Sequence, residues 1–241
     1  MTNNLFLRKL SHSWGDFMNL FFPRLCLACS QPISTGEACI CLECQATLPE
    51  TNFHLSKENP FTARFDGRLV VETAAALFFF TKKSKTQHLV HQIKYGDKRE
   101  AAFELGRFMG QKLIQEPHFQ NIDCIVPVPM HPQKRIKRGF NQAELFADGL
   151  SEAMKIPVVV SALIKTKMTE TQTKKSRLER LKNAEDVFEL AAPSLLYGNN
   201  LLIVDDVMTS GATLESCANT ILAELPDTKI SFATLAFAKT L

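Results

Sequence analysis

The sequence predicts an α/β fold: a mostly parallel sheet with flanking helices, preceded by a small cysteine-rich module. Short apolar runs such as Leu201-Leu202-Ile203-Val204 alternate with helical patterns from residue 69 onward. That alternation is expected of strands buried on both faces by crossover helices. Two C-x2-C pairs stand close together near the N-terminus, Cys26/Cys29 and Cys41/Cys44. A length of 241 residues with 45% hydrophobic content leaves room for one α/β domain and one accessory module.

The elements follow in order. Leu5, Leu7, Leu10, Trp14, Phe17 and Met18 recur at roughly helical spacing, so residues 1–22 read as an amphipathic helix ending before Pro23. Its face lacks the dense Lys/Arg of a membrane-surface helix and is expected to pack against protein. Residues 23–50 form the cysteine module. Residues 51–68 are polar, contain Pro60 and read as a linker. The α/β domain then occupies 69–241, with strands expected over 69–80, 122–128, 158–164, 187–190, 201–205 and 230–237. Helices are expected over 86–94, 100–114, 142–154, 177–184 and 213–225.

No secretory pattern and no apolar run near the ~20 residues of a membrane span is visible, so a cytoplasmic location is the expectation. Seven cysteines in that compartment point to metal binding or burial, not to disulfides. Each knuckle brings two thiolates to one point, and two knuckles complete a tetrahedral Cys₄ site for zinc. Cys26, Cys29, Cys41 and Cys44 are the expected ligands, with eleven residues between the pairs. Four protein ligands leave no open position, so the zinc would be structural. Cys39 could stand in for Cys41, but it would break the C-x2-C spacing and is left outside the set. Cys124 and Cys217 sit in apolar stretches and read as buried core thiols.

Net charge is only +3, yet residues 129–182 hold 12 Lys/Arg against 5 acids, or +7. Either these charges are a scattered solvated surface or they converge on a polyanion such as phosphate, diphosphate or nucleic acid.

The run 201–204 leads into Asp205 and Asp206, and then Thr209-Ser210-Gly211-Ala212-Thr213 turns into a helix. Ligands of open α/β sheets bind beyond the carboxyl ends of strands. Small residues there let backbone N–H groups approach a phosphate, hydroxyls add donors, and the helix dipole favours the anion. The carboxylates are placed for sugar hydroxyls or a magnesium-bound ligand. No lysine lies in the loop, which excludes the G-x-x-x-x-G-K-[ST] phosphate loop.

At these residues the chain resembles the phosphoribosyltransferase family of the type I fold. The resemblance implies that Asp205 and Asp206 are the catalytic acids and hold the ribose hydroxyls of phosphoribosyl diphosphate (PRPP), bound with Mg²⁺. It also implies that Thr209, Ser210, Gly211, Ala212 and Thr213 cradle the 5′-phosphate. Members acting on 6-oxopurines commonly carry an aspartate where Thr209 stands, and this chain departs from that pattern.

A second strand, Asp123 to Pro129, leads through His131-Pro132 to Lys134-Arg135-Ile136-Lys137-Arg138 and Gly139-Phe140-Asn141-Gln142. Basic residues with a glycine at a strand end suit a diphosphate, and Lys137, Arg138 and Gly139 are the candidates. A third segment carries Lys174, Lys175, Arg177 and Arg180 and reads as a loop feeding a basic helix, suited to a hood over the site. The series C₄, I-K-Y-G-D-K, V-P-V-P-M-H-P, R-G-F-N-Q, R-x-x-R-x-x-N and V-D-D-V-M-T-S-G-A-T resembles the ComF family of competence-associated proteins, related to GntX-type proteins.

That resemblance implies cytoplasmic handling of incoming single-stranded DNA during natural transformation, with other competence proteins as further partners. A PRPP or nucleotide-like pocket would be retained. Tyr95 beside Lys94 and Phe140 beside Arg138 are the aromatic candidates for base stacking, with core packing the competing reading of each. The alternative function is an active Mg-dependent phosphoribosyltransferase transferring ribose-5-phosphate from PRPP to an acceptor.

Overall fold

A computed structural model describes residues 23–34, 36–96, 98–166, 187–196 and 200–239. The expected helices over 1–22 and 177–184, with Lys174, Lys175, Arg177 and Arg180, lie outside the described residues. The chain divides into two compact units, Met1–Leu48 and Pro49–Leu241. Among the described residues no helix is long and apolar enough to cross a membrane.

Among its described residues the first unit is built on turns and one short helix, α1 (Leu42–Thr47). The Leu25 and Pro32 backbones pair antiparallel. The Cys26 N–H donates to the Gln31 carbonyl (2.7 Å) and the Leu27 N–H to the Cys39 carbonyl (3.0 Å). Ser30 takes up the left-handed region (φ 61°), which closes the first knuckle.

The second unit centres on a parallel sheet in the order β1-β6-β5-β2. Its strands are β1 (Ala74–Phe80), β2 (Cys124–Pro127), β5 (Asn200–Met208) and β6 (Lys229–Ala238). The pairs β1–β6, β6–β5 and β5–β2 are all parallel. β6 is buried almost throughout and β5 over residues 201–204, as strands covered on two faces require. Each outer edge is paired off by a short extended segment. Glu50 bridges antiparallel to Phe78 on the β1 side, and Val158 bridges parallel to Ile125 on the β2 side. Both edges are thereby kept from pairing with another chain.

Helices α2 (Lys85–Tyr95), α3 (Arg99–Leu113), α4 (Pro132–Arg138), α5 (Gln142–Met154) and α6 (Ala212–Glu224) connect these strands. The Ser84 hydroxyl caps α2, and the Asn141 side chain caps α5 by accepting from the Ala143 N–H at 3.1 Å. The helices over 86–94, 100–114, 142–154 and 213–225 follow the sequence periodicity to within a residue.

Two expectations are corrected. The strand over 158–164 is split by a turn at residues 160–161. Val158 joins the main sheet, whereas β3 (Leu163–Lys165) pairs antiparallel with β4 (Phe188–Leu190) in a separate two-stranded sheet. Residues 51–68 are also no simple linker. They form two 3-10 turns, Phe53–Leu55 and Thr62–Phe65, and bury Phe53, Phe61 and Phe65 in the core with Phe232 and Phe237. The side chain of Asn59 ties this segment to β1 by donating to the Ala74 carbonyl at 2.8 Å.

Helices α3 and α5 approach so closely that only glycine fits between them. A Cβ on Gly149 would sit 2.0 Å from the Phe103 carbonyl oxygen, and one on Gly106 would sit 2.1 Å from that of Phe146. Gly149→Ala is therefore expected to force the helices apart at a cost of roughly 1–3 kcal/mol. A lowered urea midpoint at unchanged slope would register it; an unchanged midpoint would contradict this account of the packing.

Candidate ligand site and cysteine centre

The sulfurs of Cys26, Cys29, Cys41 and Cys44 all lie within 4.8 Å of one another. A tetrahedron with metal–sulfur bonds of about 2.3 Å has edges of about 3.8 Å. The Cys29–Cys41 separation is 3.8 Å, so the donor set has the size and chemistry of a closed four-thiolate site. Backbone geometry presents these sulfurs as acceptors. The Cys41 N–H points to Cys26 Sγ (3.3 Å) and the Cys44 N–H to Cys41 Sγ (3.4 Å). Burial would raise the Cys26 thiol, but the N–H groups of Cys41, Ala28 and Cys29 outweigh it and bring it down to about 7. Burial and the surrounding sulfurs push Cys44 up instead, a conflict that four crowded thiols produce. Cys39 stays outside the cluster, and its carbonyl serves the knuckle turn. Cys124 and Cys217 are buried thiols, as their apolar surroundings suggest.

In the second unit, β5 carries Asp205 and Asp206 and runs on to Met208, three residues beyond the expected end at Asp205. Asp205 lies opposite Thr234 and Met208 opposite Phe237 in the parallel register with β6. The chain then turns at Gly211 (φ 86°), where the left-handed backbone favours glycine, and enters α6 at Ala212. Thr209, Ser210, Ala212 and Thr213 are exposed at this turn, while Gly211 is buried. Its backbone rests on Phe65, whose ring atoms would stand 3.0 Å from a Cβ at residue 211. Arg68 also pairs with Glu215 in the first turn of α6. The segment read as a linker thus braces the loop from below.

Two adjacent carboxylates at a strand end repel each other, and nearby cations offset this. Lys94 Nζ, from the last turn of α2, lies 2.9 Å from Asp206 Oδ2. Lys165, at the end of β3, is close enough to Asp205 to lower its carboxyl pKa. Burial and the charge of Asp206 nevertheless push the Asp205 carboxyl up to about 7, against the pull of the Asp206 N–H, Lys94 and Lys165. Lys165 is itself shifted down, first by burial and then by Lys134. Lys134 lies in α4, so the basic helix acts on Lys165.

The R-G-F-N-Q segment has a distinct role for each residue. The Arg138 guanidinium donates to Gln142 Oε1 at 2.7 Å and lies 5.2 Å from the Tyr95 ring centroid. Gly139 ends α4 in the left-handed region at φ 83°. Phe140 is buried with Arg99 at 5.1 Å from its ring, which settles that aromatic as core packing. Asn141 donates to the Val128 carbonyl at 3.0 Å and so fixes the strand end to α5. Lys137 is exposed on α4. Arg138 is held beside Tyr95 and Gln142.

Sequence reading missed Lys94 and Lys165 as partners of the acids, and Phe65 and Arg68 as supports of the loop. The lysines stood within the motif I-K-Y-G-D-K and the segment after residue 164, but no spacing rule connects them to β5. The four-residue spacing of Phe61 and Phe65 was the available signal for the support.

An unfolded aspartate titrates near about 4. Raised to about 7 in the fold, Asp205 favours the folded state while protonated, and this contribution is lost as pH rises from about 4 through about 7. The stability gap between Asp205→Asn and the natural protein should therefore widen in the variant's favour over that interval. Thermal melts between pH 4 and 8 check this, and parallel profiles would contradict the burial of a charged Asp205.

Residues 97–240 match the phosphoribosyl transferase domain family. The DNA utilization protein YhgH of Escherichia coli (strain K12) is 29% identical over 224 residues, covering 84% of this chain and 92% of that protein. Competence protein F of Haemophilus influenzae is 34% identical over 93 residues, 38% of this chain and 41% of its own length. Competence protein ComFC of Bacillus subtilis is 32% identical over 124 residues, 52% of this chain and 47% of its own length. With its acid pair, glycine turn and R-G-F-N-Q anchor in one parallel-sheet unit, the chain belongs to the phosphoribosyl transferase domain family and, within it, to the ComF group of competence-related proteins.

Proposed function

We propose that this phosphoribosyltransferase-like protein handles incoming single-stranded DNA in the cytoplasm during natural transformation and binds PRPP or a nucleotide-like ligand in the β5–α6 pocket. The observation that carries the pocket is the arrangement of Asp205 and Asp206 just before a glycine turn that opens α6. Exposed Thr209, Ser210 and Thr213 offer hydroxyls, and the α6 N-terminus offers first-turn N–H groups to a 5′-phosphate. Asp205 and Asp206 would take the ribose hydroxyls and, with PRPP bound, Mg²⁺. The metal supplies charge neutralisation of the diphosphate; the chain's own part is to orient the sugar and phosphate. Lys94 would have to share or yield Asp206 when such a ligand arrives.

The titration of PRPP with Mg²⁺ by calorimetry tests this reading. Asp205→Ala with Asp206→Ala is expected to weaken binding at least tenfold, the scale of charge-assisted hydrogen bonds of about 1.5–3 kcal/mol. Unchanged affinity would remove these acids from the pocket. The retained acid pair also favours a catalytic reading, transfer of ribose-5-phosphate to an acceptor with loss of diphosphate. Diphosphate release over a panel of nucleobases separates transfer from binding alone.

For the first unit, zinc held by Cys26, Cys29, Cys41 and Cys44 is the proposed structural cofactor. Its support is the convergence of four sulfurs, a donor set that by itself completes a tetrahedral site. Metal analysis of the purified protein should give about one zinc per chain, falling towards zero in Cys26→Ser or Cys44→Ser. Full metal content in both variants would reject the assignment.

A further inference from the structure

We propose that Tyr95 and Arg138 form a base-stacking site for single-stranded DNA on the outer face of helices α2 and α4. The inference rests on the DNA-handling reading above and gives it a location. Tyr95 is 67% exposed at the end of α2, an unusual setting for a large aromatic ring with no core to fill. Arg138 lies 5.2 Å from its ring centroid and is itself anchored by Gln142 Oε1 at 2.7 Å. The His91 ring, one turn earlier on α2, stands 4.8 Å from Tyr95. An anchored guanidinium beside an exposed ring presents two flat, stackable groups at low entropic cost, because neither has to be ordered on binding.

Helix α4 supplies the second observation. Its seven residues, Pro132–Arg138, include Lys134, Arg135, Lys137 and Arg138 with no acid, and none of the seven is buried. Ile136 in the middle is 84% exposed. An element that buries nothing contributes little to the core, yet its flanks are fixed by the His131 N-cap and the Gly139 turn. A polyanion with accessible flat faces matches both features. Single-stranded nucleic acid has them; a duplex keeps its base faces stacked inside. Backbone phosphates would meet the α4 cations while a base stacks at Tyr95. Lys94, next to Tyr95, reaches Asp206, so the stacking site adjoins the acid pair through a single helical turn.

The test is fluorescence anisotropy of the full-length protein with a labelled strand of about 16 deoxythymidines, long enough for a single-strand site. Tyr95→Ala is expected to weaken binding about tenfold or more, from a stacking contribution of about 1–3 kcal/mol per base. Tyr95→Phe should bind like the natural protein, and Arg138→Ala should both weaken binding and flatten its salt dependence by roughly 0.7 in the log–log slope. PRPP affinity in Tyr95→Ala should be unchanged, which controls for folding. Natural affinity in Tyr95→Ala, or an equal loss in Tyr95→Phe, overturns the stacking site. So does thymidine monophosphate competing as well as the strand itself. If the natural protein binds no single strand at low salt, the DNA-handling reading fails with it, a result distinct from a failure at Tyr95 alone.

Discussion

Two carboxylates side by side near the end of a central strand are costly, and much of the second unit is organised around that cost. Asp205 and Asp206 stand on β5 just beyond its pairing with β2, half-buried beside β6. Burial disfavours the charged form of Asp205, and the charge of Asp206 adds to it. The fold meets this with Lys94 from α2, 2.9 Å from Asp206, and with Lys165 from β3 near Asp205. Burial, with the charge of Asp206, still holds the Asp205 carboxyl up at about 7. A site under such electrostatic tension is stabilised by anything that brings hydroxyl donors or a cation to the acids, and that is the property a binding site needs.

Holding that pair in place takes support from residues distant in sequence. The turn after β5 is left-handed at Gly211 and rests on Phe65, so the loop's position depends on the Phe61–Phe65–Phe232 cluster under it. Asn141 fixes the end of β2 to the start of α5, while the Val128 N–H donates to the Val204 carbonyl at 2.8 Å one residue before the acids. The strand end and the turn are thus positioned by buried, well-packed groups, whereas the hydroxyls of Thr209, Ser210 and Thr213 lie on exposed residues. Rigid support under an exposed polar rim reduces the ordering cost of binding.

Much of this was legible in the sequence, and the reasons are physical. Long amphipathic helices such as Gln142–Met154 declare themselves because one face must repeat every 3.6 residues. The acid pair, the glycine turn and the paired C-x2-C knuckles are local in sequence, so their chemistry can be read directly. The failures are non-local. The strand over 158–164 was rich in β-branched residues, but a tertiary choice divided it between two sheets. Residues 51–68 looked like a linker because their polar residues outnumber the phenylalanines that do the packing. Lys94 and Lys165 could not be assigned to the acids, since the contact depends on how α2 and β3 are placed against β5.

Helix α2 shows how closely its neighbouring functions are tied together. Lys94 and Tyr95 are consecutive, so on a helix their side chains diverge by about 100°. One reaches Asp206 on the strand and the other meets Arg138 of the basic helix. Any ligand that draws Asp206 away from Lys94 changes the charge at the last turn of α2, directly beside the Tyr95–Arg138 contact. Were occupancy of the two proposed places coupled through this turn, the linkage would be reciprocal: the strand would alter ligand affinity by the same factor that the ligand alters strand affinity. The short ion pair at Asp206 is therefore more than a neutralising contact. It ties the acid-bearing end of β5 to the last turn of α2, next to the residue that meets Arg138.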